Sequence, residues 1–407
     1  MKFTLDKIYL ILIFYISPLI DALSGYLILS EILPSGGAGS PSQLFRLTII
    51  SLSIFILLKN RKYFYIAMFS IFYIILIESI FFNIHTSIFG YIIGVIYGSK
   101  LIYLLLLFLT LYYLYRNNKI DFNSLLKYIQ KYVLVMALLL IIPFSLGIGF
   151  NTYYEGTFGT KGFFAAGNGL GIFMGVGIML SVYYWQYTRS KYSLLISIII
   201  IFATVIIGTK TAFIFSLTGL LSIVLYLKSR YISYFILVTV TTLIIFYYQE
   251  ITDSLEIIFD VIFLRLQNND SFISFLMSNR DVYFQDAISS ICYDGMYILR
   301  LVFGFGVYVS FRDPLSTLQG MDTLESDFAD IFFMYGLLVL FMYIFILIKI
   351  NIRFLLKKQF FLGLVFLMLS LHSLLAGHVL FNGMSGLMLP FLILLALTFK
   401  QNKKIRM

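Results

Sequence analysis

Long uninterrupted apolar runs recur from one end of the chain to the other, and no other feature restricts its fold as strongly. A helix needs about 20 apolar residues to cross the hydrocarbon core of a bilayer, and runs of about that length follow one another here. A membrane β-barrel would instead show short segments of alternating polarity. Of the 407 residues, 61% are hydrophobic and 12% are charged, which leaves too few polar residues to cover a soluble domain. The sequence therefore predicts an all-α polytopic integral membrane protein.

The runs and their connections divide the chain into about twelve transmembrane helices. The first run contains Pro18 and Asp21 and is too long for a signal-peptide core, so it is interpreted as a retained span. The predicted spans are residues 8–29, 43–58, 63–82, 89–114, 132–150, 163–187, 193–208, 212–227, 232–248, 330–349, 360–381 and 386–399. Residues 1–248 then hold helices one to nine, 249–330 form a large extracytoplasmic loop, and 331–407 hold the last three helices and a tail.

The basic residues predict the orientation of these spans. Of the 29 Lys and Arg residues, 21 lie near the N-terminus, in alternate connections or in the tail. Cytoplasmic connections carry such an excess, so both termini are expected in the cytoplasm and the net charge of +10 requires no nucleic-acid partner. The other eight lie in outer connections or inside spans, where an unpaired charge is costly and a functional partner is expected. They are Arg46, Lys100, Lys161, Lys210, Arg265, Arg280, Arg300 and Arg312.

The predicted outer loop, residues 249–330, contains thirteen carboxylates, four arginines and no lysine. The apolar spacing of residues 273–309 is helical, so the loop is predicted to form a folded helical cap on the outer membrane surface. On the inner side, residues 121–131 are predicted to form a short amphipathic helix along the membrane.

Four carboxylates crowd the junction between this loop and the following apolar run: Asp322, Glu325, Asp327 and Asp330. If a helix begins near Asp322, then Asp322 and Glu325 form a capping box, but capping does not account for all four. Glu325 and Asp327 would point about 200° apart on a helix, so at least one faces the interior. A carboxylate there could act as a general base on a hydroxyl.

Arginines without lysines in the cap fit bidentate recognition of phosphate or carboxylate. The alternative is pairing with acids of the same loop, which is favoured for Arg300 and Arg312. Arg280 and Arg265 are the candidate anion-binding residues.

Two glycine-rich stretches carry further cations: "YYEGTFGTKGFFAAGNGLGIFMG" (153–175) and "GTKTA" (208–212). Helix packing through small residues explains Gly171, Gly175 and Gly177. It does not explain Lys161, Asn168 and Lys210, which become candidate substrate contacts because glycine lets backbone approach a ligand closely.

Several classes of site are absent from the sequence. The single cysteine, Cys292, excludes an intrachain disulfide, and there is no Walker A loop, G-x-S-x-G or metal-binding D-x-D. His372 and His378 have no metal-ligand spacing, so no metal or other cofactor is expected. His378 could bond a hydroxyl or a phosphate, or form an interhelical hydrogen bond.

In their order, several stretches resemble Wzy-type repeat-unit polymerases of O-antigen, capsule or exopolysaccharide assembly, within the O-antigen ligase/polymerase superfamily. The stretches are "TKGFFAAGN" (160–168), "GTKTA" (208–212), "SNR" (278–280), "LVFGFG" (301–306), "ESDFADIFFMYG" (325–336) and "AGHVLFN" (376–382). The resemblance covers most of the chain and implies a GT-C-like membrane glycosyltransferase without metal or nucleotide cofactor.

The resemblance also implies the reaction and its partners. The growing glycan is transferred from undecaprenyl diphosphate to a hydroxyl of the next lipid-linked repeat unit, at the outer face of a bacterial cytoplasmic membrane. The lipid-linked donor and acceptor are thus the expected substrates, and a chain-length regulator and a flippase could be partners. Related ligases use a histidine near the final acidic position, where this chain has Glu325 and no histidine.

These arguments assign roles to the candidate residues. Glu325 is the expected base, and Arg280, with Lys161 and Lys210, is expected on the diphosphate, with Arg265 as a second candidate. Asn168, Asp327 and His378 are expected as acceptor or supporting contacts. An O-antigen ligase and a lipid-linked oligosaccharide flippase or other transporter are the alternatives, although no internal repeat of the kind expected in a flippase is present.

Overall fold

The computed structural model describes residues 4–33, 39–80, 88–152, 159–227, 238, 242, 249, 284–285, 287–288, 297–304, 306–307, 324 and 326–399. Its first helices are α1 (Leu5–Ile11), α2 (Ser17–Leu29), α3 (Pro41–Leu57), α4 (Arg61–Ile80), α5 (Ile88–Arg116) and α6 (Phe122–Leu146), with a π-helical turn, Leu12–Ile16, joining α1 to α2. Then come α7 (Gly167–Thr188), α8 (Lys191–Val205), α9 (Lys210–Tyr226), α10 (Tyr297–Phe303), α11 (Asp327–Leu356), α12 (Phe360–Leu375) and α13 (Met388–Thr398). A two-stranded antiparallel pair, β1 (Phe150–Asn151) with β2 (Thr160–Gly162), is a small departure from the predicted all-α fold.

Polar side chains fix where several helices begin. The Asp121 carboxylate accepts a hydrogen bond from the Ser124 N–H at 2.8 Å at the start of α6. The Thr209 hydroxyl accepts one from the Ala212 N–H at 3.2 Å at the start of α9. Each bond satisfies a backbone donor that the helix itself leaves without a partner. Helix α6 ends at Gly147, whose φ of 66° lies in the left-handed region that glycine adopts readily.

The predicted membrane class is confirmed. Among the described residues, six helices are long and apolar enough to cross a bilayer: Leu5–Leu29, Arg61–Ile80, Gly94–Arg116, Phe122–Leu146, Gly167–Thr188 and Asp327–Leu356. Five shorter apolar helices accompany them, Pro41–Leu57, Lys191–Val205, Lys210–Tyr226, Phe360–Leu375 and Ser385–Thr398. The predicted span 232–248 lies outside the described residues except at 238 and 242, so the number twelve stays a prediction.

The surface of the bundle also indicates lipid contact. Large apolar side chains point outward from several helices, among them Phe69 (69% exposed), Phe341 (62%) and Leu225 (78%). A water-facing surface would rarely carry so many. These faces therefore fit a bilayer environment.

The predicted surface helix at 121–131 is wrong, because α6 runs without a break from Phe122 to Leu146. Leu125, Leu126 and Ile129 are buried, so this segment packs into the bundle and does not lie along the membrane. The predicted span 132–150 is thus the second part of a longer helix.

The capping box of Asp322 and Glu325 requires a helix that begins near Asp322, whereas α11 begins at Asp327, after the non-helical residues 324 and 326; Asp322 and Glu325 lie outside the described residues. One other predicted helix limit is wrong. The predicted span 360–381 ends at Leu375. Beyond it, Gly377 and His378 both have φ of 63°, which a right-handed helix cannot accommodate.

Helix α7 forms the centre of the bundle, and most of its residues are buried. Gly171, Gly175 and Gly177 meet the side chains of Thr209, Phe215 and Val133, respectively. A methyl group on any of these glycines would overlap its neighbour, so the predicted packing through small residues is confirmed.

The helix ends meet at two opposite ends of the bundle. At one end the Tyr115 hydroxyl donates to the Thr398 carbonyl at 3.1 Å, and the Lys357 Nζ donates to the Phe399 carbonyl at 2.6 Å. We call this the basic end, because it also holds Arg116 and Arg353. The other end, where α2 finishes and α3, α7 and α9 begin, is called the site end.

Candidate functional site

The site end consists of residues 20–25, 40–46, 159–169, 206–210 and 376–386. Direct contacts connect them: the Ser42 N–H donates to the Ser24 hydroxyl at 2.7 Å, and Gly25 lies directly against the backbone of residues 163–165. The Thr160 N–H donates to the Ile206 carbonyl at 2.8 Å. Segments that are far apart in the sequence thus form one continuous layer.

Strand β2 brings Lys161 to this layer beside the turn between α8 and α9. The Thr152 hydroxyl, directly after β1, donates to the Ile207 carbonyl at 2.7 Å, so both β2 and the end of β1 are held to that turn. Lys161 is half-buried, and this desolvation lowers the pKa of its ammonium group below the usual value. Lys210, the first residue of α9, is exposed on the other side of the same turn.

Asn168 is exposed in the first turn of α7, next to a close contact with residues 376–386. The neighbouring Gly169 lies against the side-chain amide of Asn382. The side-chain Oδ1 of Asn382 in turn accepts hydrogen bonds from the Met384 N–H at 3.0 Å and the Ser385 N–H at 3.4 Å. Only glycine leaves room for this amide, so Gly169 joins the Asn168 segment to the loop that carries His378.

The loop of residues 376–386, which we call the His378 loop, is held by Asp327. The Asp327 carboxylate is fully buried and accepts hydrogen bonds from the Ser373 hydroxyl (2.8 Å), the Val379 N–H (3.0 Å) and the Leu380 N–H (3.2 Å). Successive backbone N–H groups that follow residues with left-handed φ, here Gly377 and His378, form a small concavity suited to an anion. The Asp327 carboxylate occupies this concavity.

Asp327 therefore faces the protein interior, as expected for at least one residue of the acidic junction. In this position it orients the backbone beside the half-buried His378. Its assignment as a substrate contact stays a prediction, as does that of His378.

The residues just before Asp327 are held to the same region. The Ser326 hydroxyl donates to the Leu374 carbonyl at 2.8 Å, and the Leu324 N–H donates to the Asp330 carboxylate at 2.7 Å. Glu325, Arg280 and Arg265 lie outside the described residues. Leu324 and Ser326 are thus bonded to α11 and α12, respectively.

The sequence predicts a partner for Arg46 without identifying it, and the structure shows an ion pair with Asp21 at 2.9 Å between α3 and α2. Sequence reasoning missed one other polar position. Glu78 was not considered, although a carboxylate within an apolar span is itself a signal of function or of a specific partner. It is buried, its Oε1 accepts a hydrogen bond from the Val307 N–H at 3.0 Å, and its carboxylate packs against Gly94 and Gly306.

Among the described residues, no three or more His, Cys, Asp and Glu side chains come together in a way that could hold a metal ion. The chemically useful groups of the site end are instead two ammonium groups, one guanidinium, one imidazole and one exposed amide. Such a set can bind an anionic group and hydroxyls.

Comparison of the chain with models of protein families, with curated proteins and with solved structures finds no match.

Proposed function

We propose that this chain is a membrane glycosyltransferase of the polymerase type, which joins undecaprenyl-diphosphate-linked oligosaccharide repeat units at the outer face of a bacterial cytoplasmic membrane. The observation that carries the proposal is the meeting of the Lys161, Lys210 and His378 segments at one end of an apolar helical bundle. These segments contain three of the stretches on which the family resemblance rests.

In the proposed reaction, the bond between the anomeric carbon of the growing glycan and the diphosphate oxygen breaks. A new bond forms between that carbon and a hydroxyl oxygen of the next repeat unit. The hydroxyl proton passes to a base, and undecaprenyl diphosphate leaves with the electron pair of the broken bond. Preorganised cations stabilise such a developing anion, and in other enzymes this kind of term is worth several kcal/mol.

The residues take the following roles in this proposal. Arg280, Lys161 and Lys210 hold the diphosphate, with Arg265 as a second candidate in the same loop. Glu325 accepts the proton, and Asn168, His378 and Asp327 orient the acceptor. The fixed positions of Leu324 and Ser326 support a base at residue 325, because a base must approach a defined hydroxyl.

The direct test is incubation of purified protein with a synthetic undecaprenyl-diphosphate repeat unit in the presence of EDTA, with products separated by gel and mass spectrometry. A ladder of repeat-unit multiples is expected from the wild type. Glu325→Gln is expected to reduce the rate by about 10²–10⁴-fold, the usual contribution of a general base. Arg116→Lys, at the basic end, serves as the control and should leave the ladder intact.

Other outcomes distinguish the alternatives. Full polymerisation by Glu325→Gln would remove the base assignment. Unchanged monomer from folded wild-type protein with the correct sugar would contradict polymerase activity and favour the ligase or the flippase. A deletion strain then separates these two, because loss of a flippase leaves no outer product.

A further inference from the structure

Arg46 is a charged residue within an apolar helix that no role assigned above uses. It lies in the second turn of α3, with its Nη2 donating to the Asp21 Oδ1 at 2.9 Å. The two side chains are 16% and 9% exposed. Burial of such a pair costs desolvation free energy. A buried ion pair therefore often stabilises a fold no more than apolar residues of similar size would.

The hydrogen bonding of this pair is incomplete on the carboxylate side. Among the described residues, the buried Asp21 Oδ2 has no hydrogen-bond partner. On the other side, a guanidinium has five N–H donors, and the bond to Asp21 uses only one of them. Asp21 thus fixes the direction of the guanidinium without using up its donors.

The guanidinium also lies at the junction of the segments that form the site end. Its Nε, Cζ and Nη1 atoms pack directly against Gly383 of the His378 loop, where any side chain would overlap them. Asn382, the preceding residue, contacts Gly169 next to Asn168. Arg46 therefore faces the layer that carries the predicted substrate contacts.

We propose that Arg46, oriented by Asp21, binds the diphosphate of the lipid-linked substrate at the site end. This inference rests on the proposed function and adds a residue from the transmembrane part of the chain to the anion-binding cations. A planar guanidinium held by a carboxylate on one edge presents its remaining N–H groups to phosphate oxygens in a fixed geometry, which an ammonium group cannot reproduce.

The test measures binding of a fluorescent polyprenyl diphosphate to purified full-length protein in lipid nanodiscs, together with the thermal unfolding midpoint of each variant. Arg46→Lys keeps the charge but loses the fork geometry, and is expected to weaken binding about 10-fold or more, the usual worth of hydrogen bonds to a charged group. Asp21→Asn keeps an oxygen acceptor for Nη2 and removes one negative charge. The neutral amide oxygen orients the guanidinium less firmly than the carboxylate does, so this variant is expected to weaken binding, but by less than Arg46→Lys.

The unequal effects of these two variants on binding, compared with their unfolding midpoints, distinguish binding from structural support. If the pair only stabilises the helices, both substitutions lower the unfolding midpoint and weaken binding in parallel, which overturns the inference. Equal affinity of Arg46→Lys and wild type overturns it as well and leaves the proposed function standing. Failure of the folded wild type to bind the diphosphate at all overturns the proposed function itself. Arg116→Lys is the matched control for a general loss of basic charge.

Discussion

At the scale of single residues, Asp327 is a buried carboxylate that holds the backbone of the His378 loop. Its two oxygens accept three hydrogen bonds from α12 and the His378 loop, and its neighbour in that network, the Ser373 hydroxyl, also bonds the Tyr343 hydroxyl at 2.8 Å. Charge-assisted bonds of this kind define geometry strongly. The acidic junction is thereby divided between a residue that holds the loop and a residue, Glu325, that is proposed to react.

We expect Asp327→Asn to lower the free energy of unfolding by about 2–3 kcal/mol, because an amide –NH₂ would face backbone N–H donors. Unfolding in detergent by SDS titration measures this change. Ser326→Ala, which removes one neutral hydrogen bond to the Leu374 carbonyl, should cost only about 1 kcal/mol. A larger loss in Ser326→Ala than in Asp327→Asn would contradict the anchoring role.

Lys161 gives the proposed activity a pH dependence. Desolvation lowers the pKa of its ammonium group from the usual value of 10.5, so Lys161 loses its charge earlier than an exposed lysine as the pH rises. The polymerisation rate should therefore fall on the alkaline side, and Lys161→Arg should move that fall to higher pH because arginine stays protonated. A rate-against-pH profile of both proteins measures this, and coinciding alkaline limbs would refute it.

The Lys161 ammonium group affects folding stability in the opposite direction: the rate falls as the pH rises, whereas stability increases. Between its lowered pKa and 10.5, the folded protein binds fewer protons at Lys161 than the unfolded chain does. The contribution of this group to stability therefore rises with pH through that interval.

At the scale of elements, two glycines let α10 and α11 approach at backbone distance. Gly304 and Gly336 have φ of 73° and 77°, and a methyl group on either would overlap the backbone of the other helix. Gly336 also interrupts the regular dihedrals of α11. The Glu78 carboxylate holds the same region from α4 through the Val307 N–H. Irregular backbone within a membrane-spanning region is stable where it is buried in protein.

Gly336→Ala should destabilise the protein by about 3 kcal/mol or more, since the strain of a positive φ adds to a backbone overlap. Gly147→Ala is the matched control, because Gly147 has φ of 66° and no atom lies within 4 Å of the position that an added methyl group would take. It should cost about 1 kcal/mol, the conformational term alone. The unfolding midpoints of both variants are measured in detergent. Equal losses of stability would show that the backbone overlap at Gly336 does not contribute.

At the scale of the whole molecule, the two ends of the bundle differ in how they use cations. At the basic end, Arg353 and Lys357 donate to the Ala396 carbonyl at 2.9 Å each, so cations satisfy helix C-termini there. At the site end, the cations Arg46, Lys161 and Lys210 lie beside glycine-rich turns. The proposed function requires the site end to lie at the outer surface and the basic end in the cytoplasm, which agrees with the orientation predicted from the basic residues.

Cysteine labelling tests this orientation. With Cys292 replaced by serine, single cysteines at Asn168 and at Asn118 place one exposed thiol at each end. A membrane-impermeant maleimide applied to intact bacterial cells should label position 168 and should label position 118 only after lysis. The reverse pattern would place the site end in the cytoplasm and exclude the proposed reaction.

The sequence by itself determined the membrane class, the positions of most helices and the glycine packing of α7. These properties follow from local apolarity, because each transmembrane helix satisfies its own backbone hydrogen bonds and needs only enough apolar residues to be stable in lipid. The exceptions are informative. An amphipathic stripe at 121–131 looks the same whether it covers a membrane surface or another helix, and only the packing of Leu125 and Ile129 decided between them.

Only the tertiary structure decided which polar groups meet. The pairing of Arg46 with Asp21, the Asp327 contacts with residues 379 and 380, and the Glu78 contact with Val307 join positions up to 229 residues apart. A buried charge in a helix signals that a partner exists, but the helix period does not identify that partner. The partner depends on which helices are neighbours, and that is set by the packing of the whole bundle.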